Sequence, residues 1–332
     1  TRHHSSRSSE SLVSRSLVKE LADGQSLDQS FRLADKQIRV NRQGGKYLLL
    51  KLADRSGTIV AMMWNADDSD YEKIRRGGYV HGIGRTQVHQ GVLQVILTAI
   101  DDLDDSDVDP SDFDQFDGHA ADRDLEKLRD LLGEQRNVYL SGLGQAFLSD
   151  DSFVDKFRVA TAAVSNHHAY PGGLLRHTVD LMEICKFLGP RYPGVDTELL
   201  MFGAFLHDLG KIEELSSSGE LSYTDRGQLV GHIVIGVQML SEAIDAFESE
   251  SDEEFPDDLR LQLEHLIVSH HGQLEFGSPR LPATLEAIAL HHIDNLDAKI
   301  TSFTSLIESD LTNNENWTNY HPSIGRKLWK KQ

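Results

Sequence analysis

Imidazole and carboxylate side chains recur along the C-terminal two-thirds of this chain beside apolar residues, where a core would ordinarily exclude them. His177 lies in Gly172-Gly-Leu-Leu-Arg-His-Thr178, His207 and Asp208 in Phe205-Leu-His-Asp-Leu-Gly-Lys211, and His232 in Gly231-His-Ile. His270 and His271 lie in Ser269-His-His-Gly272, and Asp294 in His291-His-Ile-Asp294. A single histidine of this kind is usually a hydrogen-bonded core residue, and an adjacent His-Asp is common by chance. Five such positions in five successive apolar segments are not independent accidents. Imidazole and carboxylate together suit Mn²⁺, Fe²⁺, Zn²⁺, Ni²⁺ or Co²⁺ better than Ca²⁺. Separate helices of one bundle can converge such ligands on an internal point.

The segments carrying these residues have helical periodicity. Leu125, Leu128, Leu131 and Leu132 form one apolar stripe, and Leu174, Thr178, Leu181, Cys185 and Leu188 another. Segments 199–209, 229–243, 259–269 and 284–306 continue it, with almost no strand signal and no internal repeat. The front of the chain differs. From Phe31 to Ala99 apolar and polar residues alternate in short runs broken by Asp54-Arg-Ser-Gly57 and His89-Gln-Gly91. About five strands, with a helical insert near residues 71–74, predict a small Greek-key barrel. The expected organisation is multidomain: a disordered polar leader over residues 1–12, an all-β barrel over 13–100, an acidic linker over 101–120 and an all-α bundle over 121–332.

Charge follows the same division. The 332 residues carry 33 Lys+Arg against 53 Asp+Glu, a net charge of −20, which spread evenly would repel polyphosphate. Between Phe31 and Leu97, however, eleven bases face six acids, a local balance of +5. Residues 101–117 hold nine aspartates and residues 245–258 eight acids, neither with a base, and both read as solvated linker or loop. One cysteine cannot form an internal disulfide, so the fold needs no oxidising compartment and a cytoplasmic location is expected. No apolar run approaches the roughly 20 residues of a membrane span, so no membrane partner is expected.

The ligand series resembles that of the HD-domain metal-dependent phosphohydrolases. Beyond it, 167–178, Phe205–Lys211, Gly227–Gly236, 270–279 and 291–299 resemble the YhaM-type 3′-to-5′ exoribonucleases, in which an N-terminal OB-fold precedes a C-terminal HD domain. The resemblance covers about residues 13 to 331, including the closing Trp317-to-Lys330 stretch. It implies two divalent metal ions bridged by Asp208, with His177, His207 and Asp294 completing one site and His232, His270 and His271 the other. Mn²⁺ is the expected ion. Such a bridged pair lowers the pKa of a shared water and clamps the attacking and leaving oxygens of a phosphodiester.

Other residues follow from position. Lys211, three residues after Asp208 on the expected same helix, would offset phosphate charge. Asp297, one turn from Asp294, would orient a ligand from behind or salt-bridge its helix. His168 and Tyr170 would meet a nucleotide, and Arg280 in Gly277-Ser-Pro-Arg would read a phosphate. His167, His291 and His292 are expected to pack against the site or support its ligands. In the barrel, Lys46, Tyr47, Trp64 and Arg85 are the candidate contacts, because such domains combine a cationic groove with aromatic stacking surfaces. The expected activity is metal-dependent removal of nucleoside monophosphates from the 3′ end of single-stranded RNA, with single-stranded DNA as a further substrate and a homo-oligomer as a permitted state. Two alternatives stand beside it: an HD phosphohydrolase acting on small or cyclic nucleotides, and a nucleic-acid-binding module with a vestigial HD site. Gly277-Ser-Pro279, where cyclic-dinucleotide enzymes carry Gly-Tyr-Pro, weighs against the first. Intact ligands weigh against the second.

Overall fold

The computed structural model describes residues 15–41, 43–89, 91–113, 116–163, 170–216, 222–308, 310 and 316–331. They form two compact units, one of residues 1–115 with 310–332 and one of residues 116–309.

In the first unit, alternation of apolar and polar residues gives five strands: β1 (Ser26–Val40), β2 (Lys46–Asp54), β3 (Gly57–Trp64), β4 (Tyr79–His89) and β5 (Val92–Leu103). They close into a barrel in the order β1-β2-β3-β5-β4, with β3 and β5 parallel and every other pair antiparallel. Phe31, Leu33, Leu48, Leu50, Leu52, Val80 and Val95 point inward and are buried; each leucine so removed from water contributes about 1.5–3 kcal/mol. The expected helical insert is α1 (Asp68–Lys73), started by Asp67, whose carboxylate accepts the N–H groups of Ser69 and Asp70. Buried Ile74 follows it into the barrel core.

The acidic stretch after the barrel has more structure than a linker. Asp101 and Asp102 belong to β5, where they pair with Lys73 and Arg75. Asp104 and Asp109 each cap a single 3-10 turn, and Asp117 caps the first bundle helix by accepting the Ala120 N–H at 2.9 Å. Short aspartates satisfy backbone donors at these turns, a role that a charge count cannot reveal. The C-terminal segment is a second departure. Residues 310–332 cluster with the barrel unit, not with the bundle where the sequence pattern placed them. Their bridges, Trp317 with Trp329 and His321 with Arg326, make a short hairpin too irregular to register as periodicity.

The second unit is helical, with the single bridge Leu215–Tyr223 among its described residues. Its helices are α2 (Gly118–Gly133), α3 (Val138–Ser149), α4 (Asp151–Val159), α5 (Gly173–Leu188), α6 (Thr197–Leu206), α7 (Lys211–Glu214), α8 (Asp225–Leu229), α9 (His232–Ser251), α10 (Asp257–Ser269) and α11 (Leu285–Glu308). Helix α6 is apolar all round and buried from Leu199 to Leu206, so it forms the axis of the bundle. Phe147, Phe153 and Phe157 pack against its Phe205, the first edge-on at 5.3 Å between ring centroids. Cys185 on α5 is fully buried, and burial pushes its thiol up to about 12. No helix among the described residues is long and apolar enough to cross a membrane.

Candidate metal centre

The seven sequence-derived ligands come from five helices and meet at one point. His177 is on α5, His207 and Asp208 lie in the turn that ends α6, His232 opens α9, His270 and His271 follow α10, and Asp294 is on α11. Ligand atoms of His177, His207 and Asp294 lie within 4.8 Å of one another, and so do those of His232, His270 and His271. Asp208 stands between the two groups. Its Oδ2 is 3.3 Å from His207 Nε2 and 3.9 Å from His177 Nε2, while its Oδ1 is 3.6 Å from His232 Nε2 and 3.7 Å from His270 Nε2. One oxygen faces each group.

The backs of the rings are committed elsewhere. Nδ1 of His207, His270 and His271 lies 2.8, 2.7 and 2.8 Å from the carbonyl oxygens of Ala204, Ile267 and Phe276. A carbonyl only accepts, so each Nδ1 carries the proton and each Nε2 offers a lone pair to the centre. Carboxylates serve the other two: Asp297 is 3.1 Å from His177 Nδ1, and Glu214 is 3.1 Å from His232 Nδ1. This is the outer support that metal-binding imidazoles require. At the front, Nε2 of His207, His232 and His270 and Oδ1 of Asp208 are buried with no hydrogen-bond partner. An unsatisfied buried polar atom costs about 1–3 kcal/mol, and four converging on one point fit a cation. A cavity of about 120 Å³ opens there, lined by His177, Asp208, His270, His271 and Asp294 with Lys211, Ala162 and Ala298.

Charge in the centre is unevenly prepared. Burial opposes ionisation of Asp208, but Lys211 and His207 outweigh it and hold the carboxyl well below its usual range. Lys211 Nζ donates to Asp208 Oδ2 at 2.7 Å, and despite burial its ammonium is raised by that contact. Burial also disfavours the charged form of His177, yet hydrogen bonds to Asp294 and Asp297 raise it to about 9. His270 and His271 are pushed down, first by burial and then by neighbouring imidazoles.

Tight backbone approaches fix these positions. Gly210, between Asp208 and Lys211, leaves no room for a side chain: a Cβ there would stand 1.9 Å from the His232 carbonyl oxygen. Gly231 at φ 80° and Gly272 at φ 74° turn the chain beside His232 and His271. A Cβ on Gly272 would also strike the His291 ring at 2.2 Å.

Residues 174–299, which include all seven ligands, match the HD domain family, and residues 32–103 match the OB-fold nucleic acid binding domain. The 3′-5′ exoribonuclease YhaM of Bacillus subtilis (strain 168) is 33% identical over 286 residues, covering 86% of this chain and 88% of the relative. That of Shouchella clausii (strain KSM-K16) is 34% identical over 292 residues, 88% of each chain. The chain belongs to the YhaM family. The two YhaM domains are thus the closed barrel and the helical bundle of the described fold.

Within this YhaM-family chain the remaining sequence candidates fall unevenly. Lys211 begins α7 instead of continuing the ligand helix, because α6 ends at Leu206 and the His-Asp pair occupies the turn between them. Asp297 stands behind His177, as the helical spacing suggested. Tyr170 is 40% exposed, with burial raising its phenol; His168 lies outside the described residues. Arg280 is exposed in the loop after His271, anchored through its N–H to the Val268 carbonyl at 3.3 Å. In the barrel, Tyr47 and Trp64 are directly paired across β2 and β3 with ring centroids 4.9 Å apart, and Lys46 is tied to Asp68 at 2.6 Å. Arg85 is elsewhere: it pairs with Ile96, whose other neighbour is Met62, so a whole strand separates it from the aromatic pair. Two supporting residues escaped the sequence pattern or were left undecided by it. Glu214 accepts both the backbone N–H of His232 at 2.9 Å and its ring, and His291 Nδ1 donates to the His270 carbonyl at 2.9 Å. Glu214 is a buried acid three residues beyond the His-Asp-Leu-Gly-Lys stretch, and nothing in the sequence set it apart from its neighbour Glu213.

Proposed function

We propose that this chain shortens single-stranded RNA from its 3′ end by metal-dependent hydrolysis, releasing nucleoside monophosphates, with the barrel holding the strand while the helical centre cuts. The observation that carries the reading is the division of Asp208 between two three-ligand groups, the arrangement that two-metal phosphodiester hydrolysis needs. The YhaM relatives are named 3′-5′ exoribonucleases, which supports the direction of attack and the polymer. His177, His207 and Asp294 would hold one divalent ion and His232, His270 and His271 the other, with Asp208 on both. The ions supply Lewis acidity and activate water. The protein's own work is positional and electrostatic. Its Nδ1 partners keep every Nε2 aimed inward, and Lys211 places a positive charge beside the bridging carboxylate, where it offsets charge gathering on phosphate oxygens. Overall, a water oxygen adds to phosphorus, a phosphorus–oxygen ester bond breaks, and the departing strand oxygen takes a proton.

Mn²⁺ is the ion proposed, since mixed imidazole and carboxylate ligands suit it. Single-stranded DNA is proposed as a second substrate and a homo-oligomer as the assembled form. A cytoplasmic location rests on the single buried thiol. The test is a time course on 5′-labelled single-stranded RNA with Mn²⁺, run beside chelator and Asp208→Asn protein. A metal-dependent ladder receding one nucleotide at a time from the 3′ end is expected. Intact RNA with turnover of a mono- or cyclic nucleotide would overturn the assignment.

A further inference from the structure

The C-terminal hairpin has a chemical character that its chain does not share. Residues 316–331 contain Arg326, Lys327, Lys330 and Lys331 and no acid, in a protein of net charge −20. The hairpin is held by N–H groups of Thr318, Lys330 and His321 donating to the carbonyls of Leu328, Asn316 and Arg326 at 2.9, 2.9 and 3.0 Å. Its returning strand alternates in burial. Leu328 is buried and Lys330 turns inward to Asp310 at 3.2 Å, while Lys327, Trp329 and Lys331 are exposed. These three therefore share one face. Trp317, bridged to Trp329, joins them across the hairpin with ring centroids 5.0 Å apart at 74°. The two indoles remain 43% and 47% exposed.

A cation, an aromatic and a second cation at two-residue steps stand about 7 Å apart along an extended strand. That alternation matches a polymer that alternates anionic linkages with flat bases. An apolar protein partner would call for neutral rims, and an acidic one would not call for two half-exposed indoles. We propose that the hairpin is a second contact surface for single-stranded RNA, with the Trp317–Trp329 pair stacking a base and Lys327 and Lys331 meeting the flanking phosphates. The proposal rests on the exoribonuclease reading and adds to it a binding element from the end of the chain that groups with the barrel unit.

The test uses the full chain and a fluorescent 20-nucleotide oligoadenylate, with chelator present to stop turnover. Lys327→Glu with Lys331→Glu is expected to weaken binding at least tenfold. It should also flatten the slope of log affinity against log salt by about 1.4, two phosphate contacts at roughly 0.7 each. Trp329→Ala should weaken binding by about tenfold and Trp329→Phe by much less. Metal-dependent cleavage of a dinucleotide should be unchanged in all of them. The lysine pair sits on exposed positions, so its thermal unfolding should match the parent; if Trp329→Ala fails to fold, the lysine pair decides alone. Parental affinity and salt slope in the lysine pair would overturn the hairpin surface. A parent protein that shortens no RNA with Mn²⁺ would instead bring down the exoribonuclease reading, and the hairpin with it.

Discussion

The two halves of the candidate metal centre share one carboxylate but differ in their remaining donors. Around His177, two imidazoles are joined by the carboxylate of Asp294, and a further carboxylate, Asp297, stands behind one ring. Around His232, all three donors are imidazoles, and the carboxylate behind them is Glu214. Surplus negative charge draws a proton onto His177, whereas burial keeps His270 and His271 neutral. The first half is a hard site that must lose a proton before it can bind an ion. In the second, burial disfavours the charged forms of His270 and His271.

The strongest way to break this comparison is to remove what the halves share. Asp208→Asn deprives both of a ligand and is expected to lower turnover by at least about a thousandfold while leaving RNA affinity near parental. Measured kcat within tenfold of the parent would contradict a bridging role. Next in size is the response to pH. His177 holds its proton up to about 9, so affinity at its half should rise about tenfold per pH unit below 9, roughly a hundredfold from pH 7 to pH 9. The imidazole half should change little over that range, so calorimetric titration with Mn²⁺ should resolve a pH-dependent and a pH-insensitive site.

Smaller effects sharpen the contrast. Asp297→Asn should weaken the His177 half, and Glu214→Gln the His232 half, each by about 10- to 100-fold in metal affinity. Stoichiometry by metal analysis at limiting ion should fall from two towards one in either variant, with the lost site differing between them. The smallest effect concerns the metal-free protein. A histidine raised from 6.5 to about 9 on folding contributes stability that is complete below pH 6.5 and lost as pH rises through 9. Chelator-treated protein should unfold at a lower temperature at pH 9.5 than at pH 6, and His177→Gln should remove most of that difference.

The convergence of the candidate ligands was legible because their residue types are rare in apolar helices and repeat from helix to helix. Asp297 was legible for a related reason, being one helical turn from Asp294. Glu214 was not, because its role depends on α7 ending beside the start of α9, a contact that no periodicity encodes. In the barrel, alternation announced the strands and the turns, but every exposed position alternates equally well. Pairing of Tyr47 with Trp64, and the separation of Arg85 from both, required the actual register. The hairpin of residues 316–331 was hidden by its brevity: its two bridges lie within itself, and its grouping with the barrel unit depends on folded contacts that no local pattern encodes.

Gly210 makes the spacing of Asp208 and His232 a matter of backbone contact. Its backbone meets the His232 backbone so closely that no side chain fits between them, and the turn bearing Asp208 is thus seated directly on the helix bearing the opposing histidine. The approach of these two segments is set by peptide against peptide, with no side chain between them to yield. Moving the Asp208 turn away from His232 therefore means lifting backbone off backbone, not turning a side chain.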